Sequence, residues 1–259
     1  MNARRIIGIV RRIWVTTGAL LLVATPVYAW WTYAPRLPDG SLVSDAGVLV
    51  ERGDYLRFTP RHVTGRPGLL WVAGCLVPAE AYAPLGHAVA ARGYPVVIYG
   101  LPWRCVPFPT QQARADADLR RLLLASPSRW VLGGHSKGAV FVSQIAATPP
   151  ASLLGVIIAG STHPRDVDLS QSALEIAKVV ATADGIAPLD VSQSRRNLLP
   201  AGTAWHVIDG GNHSQFGWYG TQLGDGTAWI TRSQQHEQLL HAVLTVLARV
   251  ETNGHGVKK

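Results

Sequence analysis

Short apolar runs recur along the chain, separated by longer amphipathic stretches. Leu69–Val72, Pro95–Tyr99, Trp130–Gly133, Leu154–Ile158, Ile176–Ala181 and Trp205–Ile208 read as buried strands. Between them, Ala79–Arg92 has helical periodicity and stops at Gly93. Gln111–Leu124 sets an Arg/Asp face against a Leu face, and Ala139–Ala147 has helix composition. A further helix is expected near residues 189–199. Gln234–Val250 closes the chain, with Thr231 and Gln234 as its capping box. Val48–Val50 and Tyr55–Phe58 flank Arg52-Gly53-Asp54, a hairpin signal. Buried strands alternating with helices predict an α/β domain, a mostly parallel sheet with helices on both faces. About 16 residues separate the strand ending near Gly160 from the one starting at Ile176, which leaves little or no room for a lid.

The first 35 residues follow a different pattern. Arg4, Arg5, Arg11 and Arg12 lead, and Ile13–Pro35 then carries no charge over 23 positions, enough to span a bilayer. Tyr28, Trp30, Trp31 and Tyr33 cluster at the far end, where amphipathic rings favour a membrane interface. Three readings stand: an uncleaved signal-anchor, a signal peptide cut after Val27-Tyr28-Ala29, and a buried helix of the domain. The first two place the rest of the chain outside the cytoplasm, with the membrane as a partner if the segment is retained. The division expected is 1–35 anchor or signal, 36–46 tether, 47–251 catalytic domain and 252–259 tail.

The 259 residues are enough for one sizeable core. The formal net charge is +8, and removing the four leading arginines halves it. No basic stripe remains in the body, so nucleic acid is not an expected partner. Cys75 and Cys105 each follow a predicted strand. In an oxidising compartment they can form a disulfide, and two unpaired thiols are the alternative. No HExxH, CxxC or paired-histidine spacing appears, so neither a metal nor a cofactor is expected.

The chemistry concentrates at Gly134-His135-Ser136-Lys137-Gly138, a G-x-S-x-G turn between a strand and a helix. Such a turn lifts the serine hydroxyl above the C-terminal edge of a sheet, where ligands of α/β sheets bind. A serine needs a base to take its proton and an acid to orient that base. Strand 176–181 ends in Thr182-Ala183-Asp184-Gly185, and the last strand ends in Asp209-Gly210-Gly211-Asn212-His213-Ser214. Three strand-end loops therefore deliver Ser136, Asp184 and His213 to one edge in the required order. Asp209 is a weaker candidate acid, and Asp190 reads as a helix cap. His135 and His206 read as packing or structural. Two backbone N–H groups should hold an oxyanion: that of Lys137, and that of Cys75 in the loop Ala73-Gly74-Cys75-Leu76, with Leu76 as second choice. His163, Trp103, Trp218 and Tyr219 are candidate pocket residues. The Lys137 ammonium reaches either solvent or an acidic substrate group.

These features resemble the α/β-hydrolase fold, and more narrowly the dienelactone-hydrolase-like "alpha/beta hydrolase fold-5" group, from about Asp45 to Val250. The residues that carry the resemblance are Ala79-Glu80-Ala81-Tyr82-Ala83-Pro84-Leu85, Gly133-Gly134-His135-Ser136, Ala183-Asp184-Gly185, Gly210-Gly211-Asn212-His213-Ser214-Gln215-Phe216-Gly217 and Gly224-Asp225-Gly226. The resemblance implies Ser136 as nucleophile, Asp184 as acid and His213 as base. Many members are similar in having an N-terminal apolar segment. The chain departs from the group twice. Ala73-Gly74-Cys75 replaces the group's usual Pro-Gly-Gly, which bears on the second oxyanion donor, and Lys137-Gly138-Ala139 replaces Leu-Gly-Gly. Dienelactone hydrolases proper use a cysteine, so their reaction is not implied. The expectation is a serine hydrolase of carboxylic esters or related small acyl compounds, acting through an acyl-enzyme. An acyltransferase on the same triad and a non-catalytic membrane-tethered binding protein are the alternatives.

Overall fold

The computed structural model describes residues 3–125 and 129–255. Eight strands form one sheet: β1 (Val48–Arg52), β2 (Leu56–Pro60), β3 (Gly68–Val72), β4 (Val96–Tyr99), β5 (Trp130–His135), β6 (Leu153–Ala159), β7 (Glu175–Ala181) and β8 (Ala204–Ile208). Their order across the sheet is β1-β2-β4-β3-β5-β6-β7-β8. The hairpin β1–β2 is antiparallel and β2 joins β4 antiparallel, while β3 to β8 pair in parallel. Parallel neighbours require crossovers, and the helices α2 (Ala83–Ala90), α3 (Pro109–Leu123), α4 (Lys137–Ala147), α5 (Leu189–Gln193) and α6 (Arg232–His255) lie on those connections or after the last strand.

Alternate residues of each strand face opposite sides, and the sheet divides its core accordingly. Leu69, Trp71, Val131, Ile157 and Val179 face one side with Leu85 and Val89 of α2 and Leu239, Val243 and Val246 of α6. Leu70, Val72, Leu132, Val156 and Ile158 face the other with Leu119 of α3 and Val142 and Ile145 of α4. All six parallel strands end at the same edge, which fixes where their loops meet.

Several boundaries differ from the periodicity. The helix expected over Ala79–Arg92 opens with a 3-10 turn, Ala79–Tyr82, before α2. The helix expected near 189–199 is the short α5 followed by a 3-10 turn at Arg196–Leu198. α6 is capped as expected: Gln234 N–H donates to Thr231 Oγ1 at 3.2 Å and Thr231 N–H to Gln234 Oε1 at 2.8 Å. It continues to His255, past Val250. Residues 256–259 of the expected tail lie outside the described residues.

The apolar segment is a single helix, α1 (Ala3–Tyr33), whose stretch Arg5–Tyr33 is long and apolar enough to cross a membrane. Most of it is exposed, but its last turns pack on the domain. Thr32 and Tyr33 are buried, and Tyr33 stacks on Tyr219 with ring centroids 5.8 Å apart. Gly220 N–H donates to the Thr32 carbonyl at 2.6 Å, and Arg36 N–H to that of Trp218 at 2.8 Å.

Candidate active site

Ser136 sits between β5 and α4 with φ 55° and ψ −117°, a strained backbone conformation for a residue with a Cβ. The surroundings hold it there. Ser136 N–H donates to the Ala159 carbonyl of β6 at 3.0 Å, and its own carbonyl accepts from Ala139 N–H at 3.0 Å. The turn is tight enough that a Cβ at Gly134 would lie 2.7 Å from the Gly138 carbonyl carbon, and one at Gly138 would run into the Val72 carbonyl. The end of β3 and the loop after it therefore lie against the first turn of α4.

Asp184 and His213 arrive from the ends of β7 and β8. His213 Nδ1 lies 2.9 Å from Asp184 Oδ2 and 3.1 Å from Oδ1. Both residues are buried. The Asp184 carboxylate is fixed by two further donors, the N–H groups of Ile186 at 2.9 Å and Ala187 at 2.6 Å. Asp209 does not join them, because its carboxylate accepts from Thr182 Oγ1. Asp190 binds the neighbouring Val191 N–H at 2.8 Å.

The loop that carries His213 is clamped on two sides. Asn212 and Gln235 of α6 exchange two bonds, Asn212 N–H to Gln235 Oε1 at 3.0 Å and Gln235 Nε2 to the Asn212 carbonyl at 2.8 Å. On the other side Asp225 accepts from the N–H groups of His213 at 3.1 Å, Ser214 at 2.8 Å and Gly185 at 3.3 Å. One carboxylate thus ties the Asp184 loop to the His213 loop. The sequence signal for it was Gly224-Asp225-Gly226, to which no role attached.

His135 is a packing residue beside the elbow. It is fully buried, its ring centroid 4.5 Å from that of His213 and 5.2 Å from that of Phe216. Its Nδ1 lies 2.8 Å from Tyr82 Oη, and Tyr82 Oη accepts the Gly74 N–H at 3.0 Å. Burial holds His135 well below the usual histidine pKa, with the proximity of His213 adding to the effect.

Cys75 and Cys105 form a disulfide between the loop after β3 and the loop after β4. Leu76 N–H donates to the Arg104 carbonyl at 2.6 Å across the same two loops. Leu76, Trp103, Arg104 and Val106 all have positive φ (64°, 50°, 60° and 48°), so the crosslink joins two segments of unfavourable backbone. With Gly74 N–H bound to Tyr82 and Leu76 N–H to Arg104, the Cys75 N–H has no acceptor among the described residues, and neither has that of Lys137.

A cavity of about 240 Å³ opens over Ser136 and His213, lined also by Lys137, Val140, His163, Arg165, Ile186 and Ala187. His163, a candidate pocket residue, lies on its wall. Burial pushes its pKa down to about 4, helped by Arg165 and opposed by Asp166. Trp103, Trp218 and Tyr219 do not line this cavity. Trp103 is exposed on the Cys105 loop, Trp218 packs against His236, and Tyr219 is buried against Tyr33. The chain turns at Gly217 and runs toward α1, which carries both aromatics behind the site. A larger depression of about 440 Å³ lies at the other end of α4, beside Ala146 and Ala147, and holds neither Ser136 nor His213.

Lys178 lies beneath the cavity loop, in the middle of β7. It is fully buried, and its ammonium donates to the carbonyls of Ser161 and His163. Burial pushes its pKa down to about 7, against the attraction of Asp184. Its signal was a lysine inside the apolar run 176–181, an expensive placement unless paired.

The fold and this strand-edge arrangement define an α/β hydrolase. The model of the alpha/beta hydrolase family matches residues 68–237, and the chain belongs to that family. Comparison with curated proteins gives no match. Solved structures of the same fold include a "predicted CIB-like hydrolase" from Thermoplasma acidophilum, at 13% identity and TM-score 0.61, covering 79% of this chain and 99% of that one. A "Putative Dienelactone Hydrolase" from Klebsiella pneumoniae subsp. pneumoniae MGH 78578 is 14% identical with TM-score 0.56, covering 75% and 92%. A "putative lipase" from Acinetobacter baumannii AYE is 13% identical with TM-score 0.55, covering 80% and 93%. At these identities the likeness is one of fold.

Proposed function

We propose that this protein is a serine hydrolase of carboxylic esters, held outside the cytoplasm by α1. The observation that carries the reading is the buried Asp184–His213 pair beneath the cavity onto which Ser136 opens. His213 takes the hydroxyl proton as Ser136 Oγ attacks the ester carbonyl. The N–H groups of Lys137 and Cys75, both without another acceptor among the described residues, hold the oxyanion. The tetrahedral intermediate collapses, His213 passes the proton to the leaving alkoxide, and an alcohol departs. Water, deprotonated by His213, then attacks the acyl-serine and releases the carboxylic acid, restoring Ser136 Oγ–H. Asp184 orients His213 and balances its charge when protonated.

The contacts of α1 support a retained anchor. Cleavage after Ala29 would remove Tyr28, whose hydroxyl accepts Leu223 N–H at 2.9 Å, and the packing of Ala29 on the core. A segment needed only for export has no reason to fit the folded domain. The four leading arginines then keep the N-terminus in the cytoplasm. A panel of short and long p-nitrophenyl esters tests the function. Turnover by the full chain, lost at least about 10³-fold in Ser136→Ala and in His213→Ala, is expected. Turnover that survives Ser136→Ala with kinetics unchanged would refute the assignment.

A further inference from the structure

Among the described residues, α1 meets the domain at its last turns, and that place adjoins the site. The loop from Gly217 to Gly226 leaves the His213 turn, touches the end of α1 and returns to the Asp184 loop. Its contacts with α1 run through Thr32, Tyr33 and Tyr28, the last by way of Leu223 N–H. The next residue, Gly224, abuts the acid loop. A Cβ there would stand 3.5 Å from Ile186 Cδ1, and Ile186 lines the cavity over Ser136. Only a short stretch of chain separates the end of α1 from the cavity wall.

The same region exposes large apolar side chains that the fold does not need outside. Leu223 is 81% exposed, Trp30 73%, Trp31 65% and Trp229 66%. Trp229 is bonded to Gly210, in the turn that leads to His213. At 1.5 Å per residue, the uncharged helix from Ile13 to Tyr33 spans roughly 30 Å, the thickness of a bilayer's hydrocarbon core. The far interface therefore falls at Trp30 and Trp31, where indole rings are favoured, and Leu223 is bonded to the same turn of helix. Because Thr32 and Tyr33 are already buried in the domain, no slack chain separates the membrane from the site.

We infer that the docked end of α1 seats the Ser136 cavity at the membrane surface with Leu223 in the interface, so that the site takes acyl esters carried by the bilayer. The occupant of the exposed apolar surface at Leu223, Trp30 and Trp31 is the membrane that α1 crosses, because Leu223 is bonded to Tyr28 of that helix. This inference rests on the anchored-esterase reading above and adds the physical form of the substrate.

The test uses the full chain in phosphatidylcholine vesicles. Leu223→Cys and Gly202→Cys are each labelled with a polarity-sensitive fluorophore. Gly202 is exposed just before β8, at the opposite edge of the sheet. A nitroxide carried on lipid should quench the label at position 223 and spare the one at 202. Leu223→Asp should lower turnover of a long-chain fluorogenic ester dissolved in the bilayer by about fivefold and leave a water-soluble acetate ester unaffected. Equal exposure of both labels to water would overturn the seating. Lipid contact at 223 with unchanged turnover of the bilayer ester in Leu223→Asp would overturn the substrate assignment. Failure to hydrolyse either ester would count against the esterase reading alone, since the labels report seating without catalysis.

Discussion

The Tyr82 hydroxyl lies 2.8 Å from His135 Nδ1, in the buried layer against which the His213 ring packs. The same oxygen accepts the Gly74 N–H, so one side chain ties the Ser136 turn to the loop bearing the proposed oxyanion donor Cys75. Tyr82→Phe leaves a buried N–H and a ring nitrogen without partners. Chemical denaturation should show a loss of about 1–3 kcal/mol. Ester kinetics should show kcat reduced about tenfold with KM little changed, as expected when positioning rather than ground-state binding is lost. A variant with full kcat would break the link drawn between Tyr82 and the site.

Asp225 joins the loops that deliver Asp184 and His213, accepting N–H groups from Gly185, His213 and Ser214. Asp225→Asn keeps the shape but replaces one acceptor oxygen with a donor. Turnover should fall at least about tenfold, with backbone amide exchange of residues 185 and 213–214 accelerated. Unchanged exchange with lost turnover would point instead to a direct role for Asp225 in the chemistry.

Lys178 gives a signature on the alkaline side. Its pKa lies near 7 in the folded chain, lowered by burial, against 10.5 when exposed on unfolding. Between these values the unfolded chain holds a proton that the folded chain has released, so stability rises with pH across the window. The contribution is complete above about 10.5 and lost as pH falls through about 7. Lys178→Met removes this linkage along with the bonds to the Ser161 and His163 carbonyls. The stability of the wild type relative to Lys178→Met should therefore climb from pH 7 to pH 10, by up to about 1.4 kcal/mol per pH unit. Urea melts at four pH values would show it, and a flat difference would mean that the buried amine keeps an ordinary pKa.

The Cys75–Cys105 crosslink closes a loop with a sequence separation of 30 residues and holds the segment that presents the Cys75 N–H. Reduction, or Cys105→Ser, should cost about 3–4 kcal/mol through the unfolded chain's entropy. It should also lower kcat, because Leu76, Trp103, Arg104 and Val106 can then relax from positive φ. Paired assays with and without a phosphine reductant give both numbers. Loss of stability with full activity would separate the disulfide from the proposed oxyanion donor.

What the sequence made legible follows from the topology of parallel sheets. Apolar runs place the strands, strand ends place Ser136, Asp184 and His213 at one edge, and the G-x-S-x-G turn marks the serine proposed as nucleophile. What stayed hidden depends on contacts distant in the chain. Tyr219 looks like a pocket aromatic until its partner proves to be Tyr33, far away in α1. Tyr82 stood in the Ala79–Leu85 stretch of the resemblance, but no role attached to it, because its partners are backbone and a buried histidine 53 residues on. Lys178 was visible as a charge inside an apolar strand, but the carbonyls that accept from it lie in a loop with no regular pattern. The helix expected near 189–199 is broken because helical composition there is not matched by a continuous buried face.

Covalent modification of Ser136 tests the central claim most directly. Treatment of the full chain in detergent or vesicles with a fluorophosphonate, followed by intact and peptide mass spectrometry, should show one adduct per chain. That adduct should sit on the peptide containing Ser136 and be absent in Ser136→Ala and in His213→Ala. A folded wild-type chain that takes no label, or takes it at another residue, would contradict the account.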